Sequence, residues 1–118
     1  ARAALAEIRA RDLPRRARAI GRLLRPGLAG IRRRHEAVGD ARGAGALWGI
    51  DFVADRATRE PDPALAKAVA QGLAARGYLA LAGGAAGNVI VLTPPLTITD
   101  RQLAGFLAAL DDSLADQR

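Results

Sequence analysis

The chain contains no cysteine and no methionine, a single lysine (Lys67), a single histidine (His35), a single serine (Ser113) and four aromatic residues. Without cysteine there is no disulfide framework, no thiol nucleophile and no cysteine-ligated metal, a composition that a reducing cytosol tolerates, and a cytoplasmic location is the expectation. His35 alone cannot build a zinc site of the usual kind, so no metal site is expected. Ser113 falls in a terminal helical pattern, which gives a Ser-His-Asp arrangement no support. The neighbouring Asp111 and Asp112 point to different sides of that helix, unlike a paired acid and base. Trp48, Phe52, Tyr78 and Phe106 are too few to offer stacking platforms to a nucleic acid. No uninterrupted apolar run approaches membrane-spanning length and no signal peptide precedes the first helical segment, so neither nucleic acid nor membrane is an expected partner.

What the chain has in plenty is arginine and alanine: 17 of the 18 basic residues are arginine. The net charge of +6 is unevenly placed, with 12 arginines against four acids in residues 1 to 42 and six basic groups against eight acids in the remainder. A basic half of this kind suits phosphate or an acidic protein face, and a free-standing basic α+β module binding nucleic acid or an acidic protein is the alternative reading. At 118 residues the chain has the length of one domain, below the size of a whole cofactor enzyme, and its first residue is Ala1; it reads as part of a longer polypeptide.

Leu5 and Ile8 sit in a helix-compatible setting, so residues 1 to 12 read as the tail of a preceding helix. Asp12 and Pro14 suit the start of the next one. Ala17, Ile20, Leu24, Gly27, Leu28 and Ile31 keep a 3.6-residue period across Pro26, which predicts one helix to about His35, kinked near Arg22 to Pro26. Arg15, Arg18, Arg22 and Arg25 form a solvated stripe opposite, and Arg32 to Arg34 favour the carboxyl end of the helix dipole. His35 reads as structural or exposed. Gly39, Gly43 and Gly45 break the chain before a first strand at Ala46 to Val53. They lead into a strand rather than from a strand into a helix, so they do not make a phosphate cradle and read instead as close backbone packing.

Asp62 and Pro63 open a second helix as cap and first residue; Leu65, Ala66, Val69, Ala70 and Leu73 supply its buried stripe and Gly77 stops it after Arg76. Gly72 inside it implies a close contact. A second strand spans Tyr78 to Ala82, Gly83 to Gly87 make a turn, and Val89 to Thr93 form a third strand ended by Pro94 and Pro95. Thr99 and Gln102 have capping-box spacing, which starts the last helix at Asp100, with Leu103, Phe106, Leu107, Leu110 and Leu114 on its buried side. The order α-β-α-β-β-α gives an α+β fold: a three-stranded mixed sheet covered by helices, its first two strands parallel, the third antiparallel to its hairpin partner and central. All three strands are apolar on both faces, which calls for cover on both, part of it from a neighbouring domain or subunit.

The segment NVIVLTPPLTIT (88 to 99), taken in order with ARGAGALWGIDFV (41 to 53) and EPDPALAKAVAQGLAARGYLAL (60 to 81), resembles the carboxyl-terminal small domain of class III, pyridoxal-phosphate-dependent aminotransferases. The resemblance runs from about Leu13 to the end. It implies the small domain of a fold-type I enzyme, with pyridoxal 5'-phosphate bound mainly by a large domain of the same polypeptide, a small-molecule substrate and a homodimeric parent. The Schiff-base lysine of that family lies in the large domain, and Lys67 sits on a solvated helix face, so the resemblance implies no catalytic and no cofactor-binding residue here and a fragment inactive alone.

The small domain of that family contributes one wall of the substrate pocket. Where relatives carry an arginine for a substrate carboxylate, three residues before the proline pair or about ten before the first proline, this chain has Val91 and Gly84. The resemblance therefore points to an amine or ω-amino donor with a keto or aldehyde acceptor, and to a large-domain carboxylate anchor or a substrate that is bulky or not an α-amino acid. Arg42, at the arginine of the family's RGxG motif, is the remaining candidate for a pocket role, with an ion pair to Asp40 or the large domain as its structural alternative. Thr93 and Pro94 are candidate pocket-wall residues.

Overall fold

The computed structural model describes residues 13–78 and 80–117. The helix tail expected at residues 1–12, Asp12 as a helix start, and Leu79 in the expected second strand lie outside the described residues.

Helix α1, Leu13–Arg34, contains eight arginines and no acid, and runs on through Pro26. Its continuity follows from the apolar row Ile20, Leu24, Leu28 and Ile31, all buried in the core; that burial outweighs the single hydrogen bond which proline removes. The next segment departs from expectation. Val38–Ala44 is a strand, β1, joined by the Gly45-Ala46 turn to β2, Leu47–Asp55. The glycines read as strand breakers are parts of this hairpin. Gly45 has φ +57, and a Cβ on Gly43 would collide with the Leu47 carbonyl and with Trp48. A Cβ on Gly21 would lie 3.0 Å from the Gly45 nitrogen, so α1 rests directly on the hairpin turn.

Helix α2, Pro63–Ala75, is capped by Asp62, whose side chain accepts from the Leu65 amide; Gly77, at φ +90, follows its end. A Cβ on Gly72 would stand 2.9 Å from Ser113 Oγ, which identifies the close contact. Helix α3, Asp100–Ala115, begins with the complete Thr99–Gln102 capping box. Glu60–Pro61 adds a two-residue strand, β3, beside β2, while Leu81–Gly83 (β4) and Val89–Leu92 (β5) complete the sheet.

The α+β class and the three expected strands are present, but the sheet has five strands, in the order β1-β2-β5-β4 with β3 against β2. β5 is central among the three expected strands. Every neighbouring pair is antiparallel, so the sheet is not the mixed one expected; β2 and β4 do run the same way, but on either side of β5 rather than as neighbours. The two additional strands escaped the sequence reading because β1 is glycine-rich and β3 is only two residues long. All three helices contribute to one continuous core with Val38, Trp48, Ile50, Phe52, Ile90 and Leu92 from the sheet. The opposite sheet face has no helix among the described residues, and Leu47, Val91 and Leu81 are 60, 48 and 73 % exposed there.

Candidate functional site

Strand register assembles the exposed face. Arg42 pairs with Gly49, Gly49 with Val91, and Val91 with Leu81, so these four residues form one row across β1, β2, β5 and β4. Directly paired residues point to the same side of a sheet, and neighbouring strands lie about 4.8 Å apart. Arg42 and Val91 therefore rise from the same face about 10 Å apart, with the side-chain-free Gly49 between them. The adjoining row brings Asp40, Asp51 and Val89 together.

Arg42 is 58 % exposed and its Nη1 reaches Asp51 Oδ2 at 2.7 Å and Asp40 Oδ2 at 3.5 Å. The Asp51 hydrogen bond, followed by the charges of both carboxylates, holds the Arg42 guanidinium above its ordinary pKa. The ion pair with Asp40 expected from the sequence is present; the shorter one, to Asp51, was missed. Its signal lay in the hairpin: once Gly45-Ala46 is recognised as a turn, Arg42 and Asp51 fall on one face. Asp51 Oδ1 is buried without a hydrogen-bond partner among the described residues.

Val91, Thr93 and Pro94 converge on one cavity of about 630 Å³, which is also walled by Leu81, Pro95 and Phe106. Its lining is mainly apolar, with the edge-on pair Tyr78 and Phe106, 5.8 Å between centroids, at its inner side. Gly84 and Arg42 lie outside this cavity. Gly84 opens the β4–β5 turn at φ +84, and a Cβ there would press on Val89 Cγ2 at 3.1 Å. Any side chain at Gly84 is strained, so an arginine is disfavoured there by the backbone itself.

Beyond Leu92 the chain leaves the sheet as Thr93–Thr99. Arg16, in the first turn of α1, meets this segment: Nε donates to the Leu96 carbonyl at 3.3 Å, Nη2 to the Ile98 carbonyl, and Nη1 to Asp100 Oδ1 at 3.0 Å. Nothing in the sequence signalled these contacts, which join residues 80 to 84 positions apart. Arg25 lies over the Trp48 ring, 5.1 Å from its centroid, and donates to the Gly43 carbonyl, so part of the arginine stripe is engaged with the hairpin.

A second cleft, about 1020 Å³, opens at the other end of α1 beside His35, Asp55 and Arg56. Its groups are committed to structure. One Arg56 nitrogen donates to the carbonyls of Arg32, His35 and Val38, closing the end of α1. His35 is 7 % exposed and its Nε2 lies 2.6 Å from Asp111 Oδ1; that hydrogen bond, with Arg34, holds the Asp111 carboxyl below the usual range. His35 thus has the structural role expected, with Asp111 as its partner. Among the described residues no group of histidine, cysteine, aspartate or glutamate is arranged to hold a metal.

The family profile for aminotransferase class-III matches residues 1–114. The chain belongs to the class III aminotransferases. It is 40 % identical over 104 residues to a 4-aminobutyrate aminotransferase of Mycobacterium leprae, covering 88 % of this chain and 23 % of that protein. It is 41 % identical over 98 residues to the ethanolamine-phosphate phospho-lyase homolog 1 of Caenorhabditis elegans, 80 % of this chain and 21 % of that protein. Among solved structures it superposes with an amine transaminase from an uncultivated Pseudomonas species in its PLP-bound form (TM-score 0.84, 34 % identity, 95 % of this chain, 25 % of that one). It also superposes with an Arthrobacter phospholyase in complex with phosphoethanolamine (TM-score 0.88, 34 % identity, 96 % of this chain, 27 % of that one). The chain thus spans about a quarter of the length of the class III relatives it matches.

The residues described here do not themselves fit pyridoxal phosphate. The only lysine, Lys67, is exposed on α2 and does not line the cavity beside Val91. In this class III chain the cavity beside Val91 is walled by a strand end and a proline turn.

Proposed function

We propose that this chain is the small domain of a PLP-dependent class III aminotransferase that moves an amino group from an amine or ω-amino substrate to a keto or aldehyde acceptor. The observation that carries this reading is the exposed sheet face. A family member a quarter of its relatives' length leaves Leu47, Val91 and Leu81 in solvent on a sheet whose other face is sealed. The remainder of the polypeptide, holding the cofactor and its Schiff-base lysine, covers that face, and Val91, Thr93 and Pro94 form one wall of the substrate pocket. Arg42 borders that wall as a fixed charge rather than a free anchor, since two carboxylates already engage it. The isolated chain is inactive, and the parent acts as a cytosolic homodimer.

The test has two arms. The full polypeptide, loaded with pyridoxal phosphate, is assayed for amino transfer from 4-aminobutyrate and from simple amines to pyruvate or 2-oxoglutarate. The 118-residue chain is treated with pyridoxal phosphate and borohydride. Turnover by the first and no specific lysine adduct on the second are expected; a stoichiometric adduct at Lys67, or a full polypeptide inert toward every donor, overturns the reading.

A second reading within the same family is elimination of phosphate from a phosphorylated amino alcohol. Two phospho-lyases stand among the relatives, and a substrate of that kind carries no carboxylate for the arginines missing at Val91 and Gly84. Phosphate release from phosphoethanolamine without any keto acid present separates it from transamination.

A further inference from the structure

Pro94 and Pro95 have no amide to donate, so the segment that walls the cavity leaves the β-ladder after Leu92 with little backbone hydrogen bonding of its own. Within it the Ile98 amide donates to the Pro95 carbonyl at 2.9 Å, and the Thr99 amide donates to Gln102 Oε1 at 2.9 Å. Both bonds are local and hold the shape of the turn without fixing where it stands. Its position is set by the packing of Leu96 and Ile98 against the core and by one side chain from outside the segment. The Arg16 guanidinium, 26 % exposed, meets the Leu96 carbonyl, the Ile98 carbonyl and the Asp100 carboxylate, one on each of its three nitrogens. The planar fork of arginine suits three acceptors spread over five residues; a lysine ammonium is a compact point charge that does not span them.

We propose that Arg16 is a positioning residue for the candidate pocket: from the first turn of α1 it fixes the Pro94–Ile98 segment and with it one wall of the 630 Å³ cavity. Arg16 does not line the cavity, whereas Thr93, Pro94, Pro95 and Ile98 do, so its action is indirect. Gly27 of α1 supports the same geometry. A Cβ there would overlap the Leu107 side chain, so α1 and α3 are held at close range and the Arg16 side chain spans a fixed gap to the start of α3. The inference rests on the reading of this face as a substrate-pocket wall.

Arg16→Lys keeps the charge and the pairing with Asp100, and is the variant least disposed to unfold; Arg16→Gln removes the charge. In the 118-residue chain, amide hydrogen exchange at Ile98 and Thr99, the two hydrogen-bonded amides of the turn, is expected to quicken roughly tenfold or more in both variants, while the amides of Val69 to Leu73 in α2 keep their protection. Unchanged exchange at Ile98 and Thr99, or equal acceleration in α2, overturns the proposal, the second because it marks a general loss of stability. In the full-length holoenzyme Arg16→Lys is expected to raise KM for the amine about tenfold with kcat within about twofold. A KM that does not move while the turn loosens overturns it as well, since the wall would then be displaced without consequence for substrate. Absence of amino transfer in the unaltered holoenzyme instead defeats the proposed function, and the exchange result still decides whether Arg16 holds the wall.

Discussion

The apolar residues on the two faces of this sheet are of nearly the same types and differ in what covers them. Ile50, Phe52, Ile90 and Leu92 point to the helices and are buried in one core; Leu47, Val89, Val91 and Leu81 point the other way, and three of these four are largely in solvent. A shift of register by one residue would exchange the two sets. Parity, rather than residue type, therefore separates a surface that stabilises this chain from one that lacks a cover. The covered face carries no charge from its strands, whereas the open face carries Asp40, Arg42 and Asp51, a charged cluster beside an apolar strip. The first face accounts for folding, and the second is the one that the proposed remainder of the polypeptide would cover.

Truncation on each face breaks this comparison most directly. Phe52→Ala removes a fully buried ring and is expected to cost about 3–5 kcal/mol in the 118-residue chain, while Val91→Ala stays within about 0.5 kcal/mol. Urea unfolding of both variants checks it; a comparable loss for Val91→Ala would mean that the open face contributes to the core. The glycines offer a second contrast at smaller scale. Gly43→Ala forces a Cβ into the Leu47 carbonyl and Trp48 and is expected to destabilise by about 1–3 kcal/mol, whereas Gly83→Ala meets nothing within 4 Å and stays within about 0.5 kcal/mol. Equal melting temperatures for the two variants would contradict the tight hairpin.

That hairpin also marks the limit of what the residues told in advance. Helices α1, α2 and α3 were legible because period, caps and stops agree: Asp62 with Pro63, Thr99 with Gln102, and Gly77 past the end of α2 all do locally what their positions suggest. β1 was not, because Gly39 and Gly43 are poor strand formers on propensity and are required only by what they face, Val53 in one case and Trp48 in the other. Of the site, Val91, Thr93 and Pro94 could be placed from the strand and the proline pair. The Arg42 to Asp51 pairing follows only once the Gly45-Ala46 turn is placed, and the Arg16 contacts depend on long-range geometry that no local pattern encodes.

The join between α1 and α3 gives a prediction with a pH sign. Asp111 is held below its ordinary pKa, first by the His35 hydrogen bond, so its contribution to stability is fully present above the unfolded carboxyl's value of about 3.9 and is lost as pH falls through the lower folded value. Asp111→Asn is expected to cost about 1 kcal/mol at pH 7 and at pH 5. The gap in urea midpoint between variant and unaltered chain then closes as the pH drops below about 3.9. A gap independent of pH from 7 down to acid would show that the carboxylate charge does not matter and that Asp111 acts through shape alone.

The smallest effect on stability belongs to the substitution with the most to say about function. Val91→Arg places a guanidinium on the open face, in the row shared with Arg42 and beside the side-chain-free Gly49, at a position that is 48 % exposed. In the 118-residue chain it should stay within about 0.5 kcal/mol of the parent. In the full-length enzyme the new arginine would face the pocket from the strand end that leads into Thr93 and Pro94, and a bidentate grip on a carboxylate raises kcat/KM for a carboxylate-bearing substrate about tenfold or more relative to a plain amine. The ratio of the two is the measurement. If it does not change, Val91 is covered by polypeptide rather than by substrate, and the pocket wall moves to Thr93 and the proline turn that Arg16 holds.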